Sequence, residues 1–286
     1  MSGAPLWLRL AVGAASRIAP ERTARLAHRV FRRPAIARRF DSGQRAMLTE
    51  AEALLAGAEE IFAETPSGRL RALRFPGAPG APLTLLLHAW TADARAMAAF
   101  VPPLREAGHA LLIPDLPAHG GSEGRETDAP ASARAVAALL ESLGAKPDFF
   151  LAHSFGGGVA GLLALDGIAP RRFACIASPS TLRAVTDDFA AAFALPARAK
   201  AAFERLTEET AGMSLDALDG LLIWPGKLTE ILLLHAPEDS EIAYREAERL
   251  ATLPNARLHP LPGLGHRDVL WREESVSAAV RFLLSA

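Results

Sequence analysis

The chain of 286 residues contains a single cysteine, Cys175. One thiol excludes an internal disulfide and a cysteine-based metal site. Set in the apolar run RRFACIAS, it is expected to fill a strand interior and not to act as a nucleophile. A chain without disulfides suits the cytosol, so a cytoplasmic protein, at most peripheral to a membrane, is the expectation. No apolar run approaches the roughly 20 residues that a membrane-spanning helix needs. The early stretch APLWLRLAVGAAS is read as part of the mature protein and not as a secretion signal, because Arg9 interrupts it and the basic residues follow it. Net charge is scarce as well, at -1, which gives no global reason to expect nucleic acid as a partner. Internal repeats and long low-complexity linkers are absent.

What is present is apolar material: half of the residues are hydrophobic, enough for one large α/β domain or two small ones. The charge is unevenly spread. Residues 1–45 hold ten arginines against Glu21 and Asp41, a local net of +8 that leaves -9 on the rest. Residues 1–60 have a helical pattern broken near Pro20 and Pro34, followed by GRLRALRFPG, which alternates like a strand. From Leu83 a regular rhythm begins. The apolar runs LTLLLHAW, HALLIPDL, DFFLAHS and RRFACIASPS alternate with helical patterns of roughly 12 to 15 residues. Strands apolar on both faces, separated by helices, predict a doubly wound, mostly parallel sheet covered on both sides. Residues 181–228 read as helical, and the rhythm then resumes with TEILLLHAPED, a helix, ARLHPLPG and a closing helix.

In such a fold, reactive groups lie on loops at the carboxyl ends of the strands. Ser154 in FFLAHSFGGG sits between a strand and a helix, where a sharp turn needs very small neighbours. Gly156 meets that need and Ala152 meets it partly. A serine requires a base. His266, on the glycine-flexed loop PLPGLGH after the last strand, is the best candidate. His153 should point away from the serine, while His88 and His119, at strand ends before it, are expected to shape loops. A carboxylate must hold the imidazole in the right tautomer. Asp239 in HAPEDSEI follows the preceding strand, with Glu238 and Glu241 as competitors for the role. The backbone N–H groups of Phe155 and Trp90 are the expected donors to a developing oxyanion.

Over residues 68–286 these stretches resemble the α/β-hydrolase fold family. AHSFG is similar to its nucleophile elbow, LLLHAW to its oxyanion strand, and DLPAHGGSEG to its Asp-x-Pro-Gly-His-Gly loop. HAPEDSEI and GLGH resemble its acid and histidine loops. Alanine stands at 89, 118, 152 and 236 where the family pattern has glycine. The resemblance implies a triad of Ser154, Asp239 and His266, with no cofactor and no metal. It also implies a hydrolase core over 68–180 and 229–286 with a helical cap over 181–228. Residues 1–67 stand before it as a basic helical segment. The expected reaction is hydrolysis of a carboxylic ester through an acyl-enzyme on a small-molecule substrate. Thioesters, amides, carbon–carbon bonds and peracid formation use the same parts. A binding or signalling protein of the same fold, or a peripheral lipid-ester hydrolase, is the alternative. Phe189, Phe193 and Leu195 suggest either an apolar acyl pocket or ordinary packing. Arg22, Arg25 and Arg29 recur at helical spacing beside Leu26 and Val30. That pattern fits a helix docked on the body or, as the alternative, an interfacial anchor on anionic lipid.

Overall fold

The computed structural model of the chain describes residues 4–34, 42–224 and 229–285. Arg38, Arg39 and the last four residues of the expected cap, 225–228, lie outside them. The chain opens with helices α1 (Leu6–Ile18), α2 (Pro20–Phe31) and α3 (Ser42–Leu54). Pro20 occupies the first turn of α2, where a missing N–H costs nothing.

Eight strands follow in one sheet: β1 (Glu59–Thr65), β2 (Gly68–Phe75), β3 (Leu83–Leu87), β4 (Ala110–Pro114), β5 (Phe149–His153), β6 (Arg172–Ile176), β7 (Glu230–His235) and β8 (Ala256–Pro260). Their order is β1-β2-β4-β3-β5-β6-β7-β8. The hairpin β1–β2 joins the edge antiparallel, and every other pairing is parallel. This is the predicted doubly wound sheet, with one element more than the sequence reading gave it. β1 falls partly in the stretch read as helical. Most of its residues are exposed, so it carries no apolar signature, and cross-strand charge such as Glu59 with Arg74 replaces one.

Two cores hold the layers together. On one face Ala51, Met97, Phe100, Leu104 and Phe282 cover the sheet; they come from α3, the 3-10 turn Ala94–Phe100, α4 (Val101–Glu106) and α11 (Glu273–Leu284). On the other, Val136, Leu140, Val159, Leu163 and Leu250 come from α5 (Ala129–Ser142), α6 (Phe155–Leu165) and α10 (Arg245–Leu250). The helical pattern expected between LTLLLHAW and HALLIPDL is split into the 3-10 turn and α4. Pro102 and Pro103 fall in the first turn of α4, so the helix restarts there with no donor lost.

Between β6 and β7 stand α7 (Leu182–Ala192), α8 (Ala197–Ala211) and α9 (Gly220–Ile223). Phe189 of α7 packs edge-on against Phe31 of α2, with ring centroids 5.1 Å apart, and stacks with Phe203 of α8 at 5.3 Å. Phe193 joins the same cluster. The phenylalanine patch therefore packs against α2 and α8, which is the packing alternative and not an acyl pocket.

Candidate active site

β5 lies mid-sheet between β3 and β6, and all five of its side chains are buried. Its neighbour β3 pairs with β4 on the other side, so the connections reverse direction here. Such a switch point opens a crevice at the carboxyl ends of the strands. Ser154 stands there, the first residue beyond β5, with φ 50° and ψ -115°. A non-glycine residue in this region is strained, and strain of this kind persists only where neighbours impose it. Three hydrogen bonds do so. The Ser154 N–H donates to the Ile176 carbonyl at 2.8 Å, while the Ser154 carbonyl accepts from the Gly157 N–H at 2.9 Å and the Ser178 hydroxyl at 2.8 Å. Ser178 was not picked out in the sequence; the available signal was a hydroxyl just beyond the strand adjacent to β5.

His266 and Asp239 are brought into contact. His266 Nδ1 lies 2.7 Å from Asp239 Oδ2, and both side chains are buried. Facing a carboxylate, Nδ1 carries the proton, which leaves Nε2 as a free base. Asp239 Oδ1 accepts the N–H groups of Glu241 and Ile242, at 2.8 and 2.9 Å. Burial alone would raise its pKa, but hydrogen bonds from His235 and His266 outweigh it and hold the carboxyl well below the ordinary range. The two competitors are engaged elsewhere: Glu238 accepts the Gly263 N–H, and Glu241 pairs with Arg267.

Ser154 Oγ makes no hydrogen bond among the described residues, to His266 or to any other group. The link between them runs through His153, whose Nε2 donates to the His266 carbonyl at 2.9 Å. The two imidazole centroids are 4.8 Å apart. His153 thus grips the loop of the candidate base.

The segments that carry the two expected oxyanion donors approach each other. A Cβ on Gly156 would stand 2.5 Å from the Leu87 carbonyl oxygen and 3.0 Å from that of His88, so the start of α6 presses on the end of β3. Trp90 meets Phe155 edge-on, with centroids 5.0 Å apart. Neither the Trp90 nor the Phe155 N–H has an acceptor among the described residues. The next N–H along, Thr91, donates to His119 Nε2 at 3.2 Å.

His88 and His119 do shape loops. His88 accepts the Leu116 N–H at Nε2 and faces the Ala89 carbonyl at Nδ1; His119 faces the Pro117 carbonyl. Each ring thus has one nitrogen as donor and one as acceptor, which only the neutral form allows. Burial lowers the pKa of His88, lowers that of His119 to about 3 with help from His88, and holds that of His153 far down. Once the pH drops below the ordinary value of about 6.5, the unfolded chain binds protons that these rings refuse. Stability is therefore full above that pH and declines on acidification, by up to about 1.4 kcal/mol per pH unit for each ring. Urea midpoints measured at about pH 7.5 and about pH 5.5 check this. A level profile would contradict neutral rings.

A mostly parallel sheet with a strained serine at its switch point and a histidine–carboxylate couple on the loops after β7 and β8 defines an α/β-hydrolase fold. The model of the alpha/beta hydrolase family matches residues 84–280. The chain belongs to this family. Comparison with curated proteins finds no match. Among solved structures, a bacterial membrane phospholipase A has a TM-score of 0.61 at 20% identity over 84% of this chain and 91% of its own. The enol-lactonase from Burkholderia xenovorans has a TM-score of 0.61 at 17% identity, covering 79% of this chain and all of its own. Est1E from Butyrivibrio proteoclasticus, with ferulic acid bound, has a TM-score of 0.60 at 16% identity over 78% and 98%.

Proposed function

We propose that the chain is a serine hydrolase that cleaves a carboxylic ester through an acyl-enzyme on Ser154. The observation that carries this is the buried His266–Asp239 couple, its Nε2 without a partner among the described residues, on a ring packed against the residue next to Ser154. His266 Nε2 takes the proton of Ser154 as Oγ bonds to the ester carbonyl carbon. The negative charge that develops on the carbonyl oxygen is met by the N–H groups of Trp90 and Phe155, which have no acceptor among the described residues. When the intermediate collapses, the alkoxide leaves with the proton from His266. Water then attacks the acyl-enzyme and gives its proton to His266. The acid departs as Ser154 recovers its hydrogen. Asp239 keeps its charge throughout and orients the ring. The names enol-lactonase and phospholipase A, borne by structural neighbours, both describe ester chemistry and agree with this reading.

A fluorophosphonate probe tests it directly. Stoichiometric labelling of the native chain, abolished in Ser154→Ala, is expected. Native protein that stays unlabelled, or labelling that survives the substitution, would leave a binding or signalling protein of the same fold. A panel of p-nitrophenyl esters of increasing acyl length then gives the chain-length preference.

A further inference from the structure

Six of the large apolar side chains that the body fails to cover belong to the first two helices. Leu6, Trp7, Leu10 and Ile18 of α1, and Leu26 and Val30 of α2, are between 46% and 87% exposed. Single exposed leucines need no explanation, but a contiguous group does. At roughly 100° per residue, Leu6, Trp7, Leu10 and Ile18 fall within about 120° of one face of α1. On α2, Leu26 and Val30 lie on one flank of the exposed face and Arg22, Arg25 and Arg29 on the other. The opposite face of α2 is spent on docking: Ala24 is fully buried and Phe31 joins the aromatic cluster with Phe189 and Phe203.

The charges on this surface are unspent. Arg9, Arg17, Arg22, Arg25 and Arg29 are exposed, and none has an ion-pair or hydrogen-bond partner among the described residues. The next two arginines behave differently. Arg32 pairs with Glu126 and Asp128, and Arg33 with Glu126. Glu21, the acid of these two helices, is taken by Arg205. Thus the arginines that face the body are neutralised and those beside the apolar stripe are not.

We infer that α1 and α2 form a docking surface for an anionic lipid bilayer. Apolar side chains enter the acyl boundary while the flanking guanidinium groups meet phosphate, a combination that a neutral or purely aqueous partner does not satisfy. A second copy of the chain is a poor occupant, because a two-fold contact through this face sets arginines against arginines. The platform is held firmly. The Ala4 N–H donates to the Ala192 carbonyl at 3.1 Å, α2 packs on α8, and Arg32 and its carbonyl bind the loop after β4. The segments they bind follow the carboxyl ends of β4 and β6 along the chain.

The inference stands apart from the reading of the active site, because its readout is binding and not turnover. The full chain is sedimented with vesicles of phosphatidylcholine alone and of phosphatidylcholine and phosphatidylglycerol in equal parts. Binding to the mixed vesicles only is expected, weakening as salt is raised. The triple substitution Arg22→Gln, Arg25→Gln, Arg29→Gln should lower the partition coefficient by roughly two orders of magnitude. Leu6→Ser with Leu10→Ser should lower it by roughly tenfold or more. All five positions are exposed, and unchanged thermal melts establish that the variants fold. Trp7 emission should shift to the blue on binding, and the shift should vanish in Trp7→Phe. Equal recovery with both vesicle types, or binding that survives both sets of substitutions, would overturn the inference. So would a stable dimer in solution that the leucine substitutions dissolve.

Discussion

Replacing Asp239 with asparagine lowers kcat for ester hydrolysis by about four orders of magnitude while the chain still folds. The substitution keeps the shape and changes one oxygen into a donor. The side-chain carbonyl of asparagine would continue to accept the N–H groups of Glu241 and Ile242, which bind Asp239 Oδ1. The amide nitrogen then faces His266 Nδ1, where Asp239 Oδ2 now sits at 2.7 Å. Donor against donor is unfavourable, so the imidazole adopts the other tautomer, with its proton on Nε2. That nitrogen can no longer accept the proton of Ser154. His235 Nε2, 3.5 Å from the same oxygen, keeps its bond to the Ile242 carbonyl. The stability loss is therefore modest, about 1–3 kcal/mol for the mismatched buried pair. Glu238→Gln and Glu241→Gln serve as controls and should leave kcat within roughly threefold, since each carboxylate is engaged elsewhere. Asp239→Asn with more than a tenth of native kcat would remove Asp239 from the proposed triad. The depressed carboxyl also has a pH consequence. Its contribution to stability is present above the unfolded value of about 3.9 and is lost as pH falls through the lower folded value. Asp239 thus stays ionised at any pH at which the ester assay is run.

The parallel part of the fold was legible because its strands are buried on both faces. Runs such as LTLLL and FFLAH have no amphipathic alternation to confuse with a helix, and glycines or prolines bound them. β1 was not legible, and the reason is the same physics inverted. An edge strand held by Glu59–Arg74 and Glu60–Arg71 pairs looks, in sequence, like a solvated segment. The helix expected between TEILLLHAPED and ARLHPLPG was overread for the opposite reason. SEIAYREAERLATL is rich in Ala, Leu, Glu and Arg, good helix formers, yet only Arg245–Leu250 is α-helical. Upstream, Asp239 accepts the N–H groups of Glu241 and Ile242 and holds that backbone in the acid loop.

At the site, residue type and strand end bring Ser154, Asp239 and His266 forward as candidates, and the structure adds the contacts around them. The grip of His153 on the His266 carbonyl joins residues 113 apart in the chain, and no local pattern announces it. Among the alanines that stand where the family pattern has glycine, 89, 152 and 236 take ordinary backbone angles, so their methyl groups cost nothing in conformation. Ala118 is different. Its φ of 65° is left-handed, and the turn is closed by its N–H donating to the Glu123 carbonyl at 2.8 Å. Relaxing that strain by Ala118→Gly is expected to leave the loop unchanged, so this departure affects stability more than geometry.

Gly156→Ala destabilises the chain by about 3 kcal/mol or more, whereas Gly158→Ala, two residues along the same helix, stabilises it by roughly 0.5–1 kcal/mol. The three consecutive glycines are thus not equivalent. A methyl at 156 would stand 2.5 Å from the Leu87 carbonyl oxygen and 2.9 Å from its carbon, atoms of a central strand that cannot yield. Relief requires α6 to lift from β3, which also separates the Phe155 N–H from the Trp90 loop and lowers kcat. At 157 the obstacle is softer. The methyl meets the Ser178 hydroxyl and Cys175 Sγ, side chains that can turn, but turning Ser178 forfeits its bond to the Ser154 carbonyl. Gly157→Ala should therefore cost less in stability than Gly156→Ala and still impair the elbow. At 158 no atom of the described residues lies within 4 Å, so alanine supplies helix propensity with no opposing clash. Urea denaturation of the three variants, beside kcat on a short-chain ester, separates these effects. Equal destabilisation at 156 and 158 would mean that the glycines serve chain flexibility, and the tight seating of α6 against β3 would lose its energetic role.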